Sequence, residues 1–309
     1  MPDIPVDPEL RKAWRLLPRG IGSDRTVRVA RRVTPLLARR RAPSDVEVHP
    51  VGKAEVRLIR PVDRPVQPGP ALLWIHGGGY IVGLAAQDDA LCRLYARRTG
   101  AIVASVDYRL SPEHPFPTPL DDCYEALRWL AARPDVDSGR VAIGGASAGG
   151  GLAAALSQHA HALGEVEPVF QLLTYPMLDD RTALRSDIDE AGFRLWNNRS
   201  NRYGWRAYLG TEPGADGNTA PAVPARAASL AGLPPTWIGV GTLDLFHDED
   251  VEYAARLSAA GVECRLDVVP GAFHAFDMMA PGAAVSRRFR EAQIEVLTSA
   301  FESRSRSTP

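Results

Sequence analysis

Ser147 is the residue whose surroundings most directly indicate chemistry. It lies at the centre of a Gly-Ala-Ser-Ala-Gly run at 145–149, after a strand predicted over Arg140–Ile143 and before a helix predicted over Ala148–Leu163. A serine on a sharp turn between a strand and a helix is exposed as a nucleophile, and the flanking glycines avoid Cβ clashes in that turn. The adjacent helix N-terminus favours a developing negative charge. The run therefore predicts a nucleophilic serine.

A glycine run that could bind an oxyanion begins at His76, directly after the predicted strand Ala71–Ile75. Acyl transfer needs backbone N–H donors directed at the oxyanion, and glycines allow the backbone to approach a substrate closely. We assign these donors to Gly77 and Gly78, with Ala148 supplying the N–H after the nucleophile. A phosphate-binding loop is disfavoured, because no Lys-Ser/Thr follows and the GxGxxG spacing is absent. His76 itself is interpreted as structural.

The general base can be found by elimination among the seven histidines. In folds with this type of serine turn, the chain order is serine, acid, histidine. Three histidines precede Ser147, two lie on the helix that follows it, and His247 lies in a turn that opens a helix. His274 instead follows the predicted strand Arg265–Val269, at the strand end where catalytic groups gather. We therefore predict His274 as the base.

The acid that orients the base should follow the preceding strand. The predicted strand Thr236–Val240 leads to Asp244 four residues later. Asp248, Glu249 and Asp250 fall in the first turn of the next helix, where acidic residues commonly cap the helix and offset its dipole. Asp244 is the predicted acid, and one of these three remains an alternative.

Strands and helices alternate after about residue 50. Such alternation predicts a mostly parallel sheet with helices on both faces. Further predicted strands are Glu55–Ile59, Ala101–Val106 and Val169–Thr174, and further predicted helices are Leu120–Ala132, Glu249–Ala260 and Ser286–Phe301.

Two segments depart from this pattern. Residues 1–48 are rich in proline and arginine, with helical patterns at Pro8–Leu17 and Ser23–Arg40. An arginine-rich helix can bind membranes or nucleic acid. The sequence pI near 6.7, however, indicates no excess of basic residues over the rest of the chain, so we favour a helix that covers the main domain. We predict an N-terminal cap segment at 1–48, a catalytic domain at 49–309 and a cap insertion at about 179–210, which would lie at the ligand-binding end of the sheet.

Composition points to an ordinary globular enzyme. The chain is 45% hydrophobic and 24% charged, and its net charge near −1 gives no field that would attract nucleic acid or acidic membranes. Three widely spaced cysteines suggest neither a disulfide framework nor a metal site. The N-terminus has no signal-peptide pattern, and no apolar run reaches membrane-spanning length. We therefore expect a cytoplasmic protein with no nucleic-acid or membrane partner.

At these motifs the sequence resembles the bacterial hormone-sensitive-lipase-like carboxylesterases, an α/β-hydrolase family. The resemblance runs from about Ala71 to Phe276, and within the family the chain looks like the subgroup of acyl esterases that includes heroin esterase. The motifs that carry it, in chain order, are His76-Gly-Gly-Gly, Tyr108-Arg-Leu-Ser-Pro-Glu, Pro115-Phe-Pro, the Ser147 run, Gly232-Leu-Pro-Pro, Asp244 with Asp248-Glu249, and Phe273-His-Ala-Phe.

The resemblance implies an α/β-hydrolase fold, with a mostly parallel eight-stranded sheet flanked by helices and a two-part helical cap. It also implies hydrolysis of short acyl esters without cofactor or metal, and frequent homodimers. Two residues depart from the family pattern: Ala146 replaces the usual carboxylate before the nucleophile, and Ala275 replaces the usual glycine after the histidine. Neither belongs to the predicted triad, so the chemistry should survive.

Four aromatic residues are candidates to line a substrate pocket, with core packing as the alternative for each: Tyr80, Trp196, Phe273 and Phe276. The predicted reaction is hydrolysis of a small-molecule ester through an acyl-enzyme. An amidase or a thioesterase would use the same residues, whereas a long-chain lipase is disfavoured because the cap lacks an apolar flap. A ligand-binding protein on the same scaffold is the alternative outside enzymes, and the presence of all three triad residues argues against it.

Overall fold

The computed structural model describes residues 4–20, 27, 29, 31–32, 43–62 and 68–305. Within these ranges one sheet has the strand order β1-β2-β4-β3-β5-β6-β7-β8. Only β2 runs antiparallel to its neighbours, and all other pairs are parallel. The strands are β1 Val46–Val51, β2 Ala54–Ile59, β3 Gly69–Ile75, β4 Ile102–Asp107, β5 Val136–Ala146, β6 Gln171–Thr174, β7 Thr236–Leu243 and β8 Cys264–Phe273.

The central strands are apolar because both faces of the sheet are covered. Nearly every residue of β3 and β4 is buried, as expected for parallel strands between helical layers. The described helices are α1 Arg11–Leu16, α2 Asp89–Thr99, α3 Thr118–Ala131, α4 Ala148–Leu163, α5 Asn198–Leu209, α6 His247–Ala259, α7 Phe276–Met279 and α8 Ala284–Ser305.

Two hydrophobic cores lie on opposite faces of the sheet. Helices α3, α4 and α6 contribute to one core, together with α5. Helices α2 and α8 contribute to the other, where Tyr95 and Phe289 are buried. The predicted arrangement of a mostly parallel sheet between helical layers is confirmed.

Strand β1 was not predicted from the sequence. It begins at Val46, within the segment expected to form the cap, and pairs antiparallel with β2. As an edge strand with only its two ends buried it lacks a clear apolar pattern, and Pro50 is tolerated there because an edge strand need not use every N–H. Helix α1 is shorter than the predicted Pro8–Leu17, and most of the predicted helix Ser23–Arg40 lies outside the described residues.

The N-terminal residues contact the insertion that follows β6. Trp14 donates its indole N–H to the carbonyl of Gly192 at 2.7 Å, and the N–H of Leu195 bonds to Pro18 O at 2.8 Å. The guanidinium of Arg194 lies over the Trp14 ring, 3.7 Å from its centroid. The two segments therefore pack as neighbours. No helix in the described part of the chain is both long and apolar enough to span a membrane.

Candidate active site

Ser147 lies on a strained turn between β5 and α4. Its φ of 57° is rare for a residue with a side chain, and its N–H bonds to Thr174 O at 2.9 Å. Glycines on each side allow this turn, since a Cβ on Gly145 would overlap the carbonyl of Gly149 and a Cβ on Gly149 would overlap that of Ile75. The serine is therefore held at the carboxyl end of β5, with the first turn of α4 beside it.

The structure brings Ser147, His274 and Asp244 into one hydrogen-bonded chain. Nε2 of His274 lies 3.0 Å from Oγ of Ser147, and Nδ1 of His274 lies 2.8 Å from Oδ2 of Asp244. The other oxygen of Asp244 accepts the N–H of Phe246 at 3.0 Å, which fixes the carboxylate. All three side chains are almost completely buried. Nδ1 must carry the proton in this arrangement, because a carboxylate can only accept.

The three alternative acids lie elsewhere. Asp248 is exposed and pairs with Arg185 at 2.7 Å. Oε1 of Glu249 accepts the N–H groups of Leu178 at 2.7 Å and Asp179 at 3.2 Å. Both oxygens of Asp250 are buried and lack a hydrogen-bond partner within the described ranges. Of these four carboxylates, Asp244 is the one that contacts His274.

The glycine loop lies against the serine. A Cβ on Gly77 would be 3.3 Å from Cβ of Ser147. The carbonyl of Gly77 is fixed on its other side, because it accepts Nδ1–H of His76 at 2.8 Å and Nε2–H of Gln87 at 3.3 Å. Burial lowers the pKa of His76, whose ring stacks on Tyr108 with centroids 4.3 Å apart. His76 thus occupies a structural position beneath the loop.

The three predicted oxyanion donors are available. Among the described residues no hydrogen bond occupies the N–H of Gly77 or of Gly78. Ala148 is the first residue of α4, so its N–H has no partner in the preceding turn. Gly78 has a φ of 130°, and a Cβ there would overlap the carbonyl of Val82. Only glycine allows this loop to fold back so tightly beside Ser147.

The four aromatic candidates lie in the core. Tyr80 stacks on Tyr208 with centroids 4.0 Å apart, and its hydroxyl donates to the carbonyl of Met177 at 3.3 Å. Phe273 and Phe276 are completely buried. These three side chains therefore serve packing in the structure, which corresponds to the alternative left open for them.

Trp196 differs from these three because it covers the glycine loop. It is 3% exposed, and a Cβ on Gly79 would overlap its ring. Its indole N–H lies 3.3 Å from Oδ1 of Asn201, the acceptor on α5. Helix α5 reaches the same loop through Gly204, where a Cβ would lie 2.9 Å from Gly79 O. A substrate contact by Trp196 stays a prediction, but its position beside the glycine loop is compatible with one.

Sequence analysis missed two residues beside the base. The ring of Tyr175 lies 4.9 Å from the His274 ring at 65°, and the ring of Phe246 lies 5.3 Å from it at 81°. Both follow the carboxyl ends of strands, Tyr175 directly after β6 and Phe246 two residues after Asp244. That position at the strand ends is the signal that could have identified them.

No group of His, Cys, Asp and Glu side chains in the described ranges could hold a metal ion. Cys92 and Cys123 are buried free thiols, and Cys264 is a partly buried one. Burial raises the pKa of Cys264 to about 11, which leaves its thiol protonated near neutral pH.

A family model described as alpha/beta hydrolase fold matches residues 72–278, more than half of the chain. The chain belongs to the α/β-hydrolase family. The predicted α/β-hydrolase fold and the resemblance to the hormone-sensitive-lipase-like carboxylesterases are thereby confirmed.

Several relatives of this α/β-hydrolase carry esterase names. Esterase LipI of Mycobacterium tuberculosis is 35% identical over 267 residues, which cover 83% of each chain. Ethyl acetate hydrolase of Pseudomonas putida is 36% identical over 232 residues, covering 72% of this chain and 71% of its own. The solved structure of bacterial heroin esterase superposes with a TM-score of 0.87 at 36% identity, covering 96% of this chain and 98% of its own. This α/β-hydrolase is a carboxylic ester hydrolase.

Proposed function

We propose that this α/β-hydrolase cleaves short-chain acyl esters of small alcohols through a covalent acyl-enzyme on Ser147. The observation that carries the proposal is the hydrogen-bonded chain from Oγ of Ser147 through His274 to Asp244, with distances of 3.0 and 2.8 Å. This arrangement is suited to activating a serine hydroxyl, which is a weak nucleophile without an adjacent base.

His274 moves the proton in each step. Nε2 of His274 takes the proton of Ser147 as Oγ attacks the ester carbonyl, and the resulting imidazolium returns it to the leaving alcohol as the C–O bond breaks. Water then attacks the acyl-enzyme in the same way, giving the carboxylic acid and free Ser147. Asp244 holds the imidazole in the required tautomer and stabilises its charged form.

The N–H groups of Gly77, Gly78 and Ala148 stabilise the tetrahedral oxyanion. Loss of one such donor costs about 3–4 kcal/mol in a characterised serine hydrolase. The positive end of α4 adds to this stabilisation, because the helix begins at the residue after Ser147. The loop needs little rearrangement to bind the oxyanion, because the Gly77 carbonyl is already fixed by two donors.

Preference for small acyl groups is supported by the loop environment and by one relative. Trp196 covers Gly79, so space beside the oxyanion loop is restricted. One relative carries the name ethyl acetate hydrolase, and its substrate has a two-carbon acyl group. We propose that the described N-terminal residues 4–20 and the insertion at about 179–210 form a cap over this space, because Trp14 bonds directly to Gly192.

The test is hydrolysis of 4-nitrophenyl esters from acetyl to dodecanoyl by the wild type and by Ser147→Ala. We expect turnover that falls with acyl length and a loss of at least ~10³-fold in the variant. Residual turnover by Ser147→Ala near the wild-type level would overturn the proposal. Activity on matched amides or thioesters but not on esters would indicate an amidase or thioesterase, and binding without turnover would indicate a ligand-binding protein.

A further inference from the structure

The imidazole of His274 is enclosed by aromatic rings on two sides. Tyr175 meets it at 4.9 Å and Phe246 at 5.3 Å, both at steep interplanar angles. Rings in such edge-to-face contact prefer defined geometries. The orientation of the base therefore depends on how firmly these two neighbours are held.

Tyr175 is held at both ends. Its N–H bonds to the carbonyl of Gly239 on β7 at 2.7 Å, and its hydroxyl donates to Oδ1 of Asp277 at 2.8 Å. The side chain is buried, and the backbone φ is 38°. The ring also stacks in parallel with that of Phe289, although their centroids are 6.3 Å apart. The hydroxyl bond is the polar contact that fixes the tip of this ring.

Asp277 belongs to the same loop as the base. It lies three residues after His274, in the short helix α7, and is 1% exposed. Arg290 supports it from α8, with Nε 3.7 Å from Oδ2 and a second nitrogen donating to the Asp277 carbonyl. Burial raises the pKa of Asp277, and the Tyr175 bond and Arg290 partly offset that rise.

His274, Asp277 and Tyr175 are connected in a ring of contacts, partly along the chain and partly through side chains. From His274 the chain runs through Ala275, which has a φ of 58°, to Asp277. Asp277 accepts the Tyr175 hydroxyl, and the Tyr175 ring in turn packs against the His274 imidazole. A movement of the imidazole toward Tyr175 must therefore displace the ring or break the hydroxyl bond. The loop that carries His274 thus also supplies Asp277, the residue that holds Tyr175 against the imidazole.

We propose that Tyr175 and Asp277 form a positioning pair, which holds the His274 imidazole in line between Ser147 and Asp244 during proton transfer. The proposal rests on the proposed role of His274 as general base. Tyr175 acts by packing against the imidazole, and Asp277 acts by holding the Tyr175 hydroxyl. Loss of the hydroxyl bond should allow the imidazole to leave its aligned position more often, which lowers the rate of the chemical step and leaves substrate binding unchanged.

The experiment compares kcat and KM on a short-chain 4-nitrophenyl ester for four variants: Tyr175→Phe, Asp277→Asn, their double variant, and Tyr95→Phe. Tyr95→Phe is the matched control, because Tyr95 is a buried tyrosine in the same core whose hydroxyl donates to Oε1 of Gln293 on α8, at 2.6 Å, and not to the loop that carries His274. Asp277→Asn keeps an oxygen that can accept the Tyr175 hydroxyl.

For Tyr175→Phe we expect a fall in kcat of roughly tenfold with KM within about twofold, because small misplacements of catalytic groups cost one to two orders of magnitude. Tyr95→Phe should stay within about twofold in both constants, although both changes remove one buried hydroxyl. Asp277→Asn should keep kcat within about threefold. The double variant should be no slower than Tyr175→Phe, because residue 277 has no hydroxyl to accept once Tyr175 is replaced by phenylalanine.

Two outcomes would overturn the pairing. One is a Tyr175→Phe enzyme indistinguishable from Tyr95→Phe, and the other is a double variant whose losses multiply. Thermal unfolding of each variant identifies any loss of folded protein, and kcat is then normalised to the serine that a fluorophosphonate probe labels. Persistent activity in Ser147→Ala would overturn the proposed function instead, so the two failures are separable.

Discussion

At the scale of single residues, Asp250 is an unusual neighbour of the proposed catalytic acid. It is completely buried, and its two oxygens have no hydrogen-bond partner among the described residues. Burial raises its pKa well above the ordinary value of 3.8, and the nearby carboxylates of Glu249 and Asp244 add to that rise. The folded protein therefore keeps Asp250 protonated at a pH where the unfolded chain has released the proton.

The sign of the resulting pH dependence follows from this difference. Well below pH 3.8 both states bind the proton, so the ionisation of Asp250 does not change the free energy of unfolding. As the pH rises toward the folded-state pKa, the unfolded state gains stability from ionisation and the folded state does not, so the free energy of unfolding falls. Asp250→Asn removes the titrating group and should raise the free energy of unfolding by ~1–3 kcal/mol at pH 8, with a smaller gain at pH 5.

Urea denaturation of Asp250→Asn and wild type at both pH values checks this prediction. Asp216→Asn is the control, because Asp216 is an exposed aspartate and its replacement should change stability by less than ~0.5 kcal/mol at either pH. An equal gain for Asp250→Asn at pH 5 and pH 8 would show that Asp250 does not titrate anomalously.

At the scale of elements, the contact between α4 and β3 determines where the nucleophile lies. A Cβ on Gly149 would overlap the carbonyl of Ile75 and lie 2.5 Å from that of His76. Because both obstacles are backbone atoms, one at the end of β3 and one at the start of the glycine loop, α4 would have to move away from β3. Such a movement would separate Ser147 from the loop and its donors.

Gly149→Ala should therefore lower the free energy of unfolding by about 1–3 kcal/mol and reduce ester hydrolysis by more than tenfold in the protein that remains folded. Thermal unfolding and the 4-nitrophenyl ester assay measure the two effects. Gly139→Ala provides the comparison, because a Cβ there would make only an ordinary contact 3.4 Å from Asp137 Oδ1. Equal behaviour of the two variants would contradict the proposed role of this close approach.

At the scale of the whole molecule, a buried ion pair connects the insertion to a distant part of the chain. Asp180, completely buried at the start of the insertion, lies 2.9 Å from Nε of Arg226. The same carboxylate accepts the N–H of Gly214 at 2.7 Å and an amide proton of Asn218 at 2.8 Å. Asp180 therefore joins the start of the insertion to the stretch from Gly214 to Arg226.

Removal of one partner should be costly because it leaves the other charge buried and unpaired. We expect Arg226→Met to lower the free energy of unfolding by ~3–5 kcal/mol, and Asp180→Leu/Arg226→Met to be less destabilised than the single variant. Urea denaturation measures both. Arg206→Met breaks an exposed pair with Glu212 and should cost at most about 1 kcal/mol. A double variant less stable than Arg226→Met would contradict the argument.

Much of the fold could be predicted because strand and helix patterns are local. Helix α4 has the predicted bounds Ala148–Leu163, since the turn at Ser147 precedes its first residue and Gly164, in a left-handed conformation, ends it. Strand β1 was not predicted because an edge strand buries too few side chains to produce an alternating apolar pattern in the sequence. Its pairing with β2 depends on residues that meet only in the folded sheet.

The candidate site likewise has features that the sequence predicts and others that depend on the folded structure. The Ser147 turn and the glycines at Gly77 and Gly78 are local backbone features, so residue type alone identifies them. Chain order in the fold then predicts His274 and Asp244 as their partners. The sequence by itself thus determined which residues we propose as the nucleophile, base, acid and oxyanion donors.

Only the tertiary structure decided what surrounds those groups. Tyr80, Phe273 and Phe276 have the composition of pocket residues but pack in the core, while Tyr175, which no motif marked, lies against His274. The physical reason is that a side chain's contacts depend on which strand ends and helices are adjacent in space. Such neighbours come from segments far apart in the chain, and no local pattern encodes their meeting.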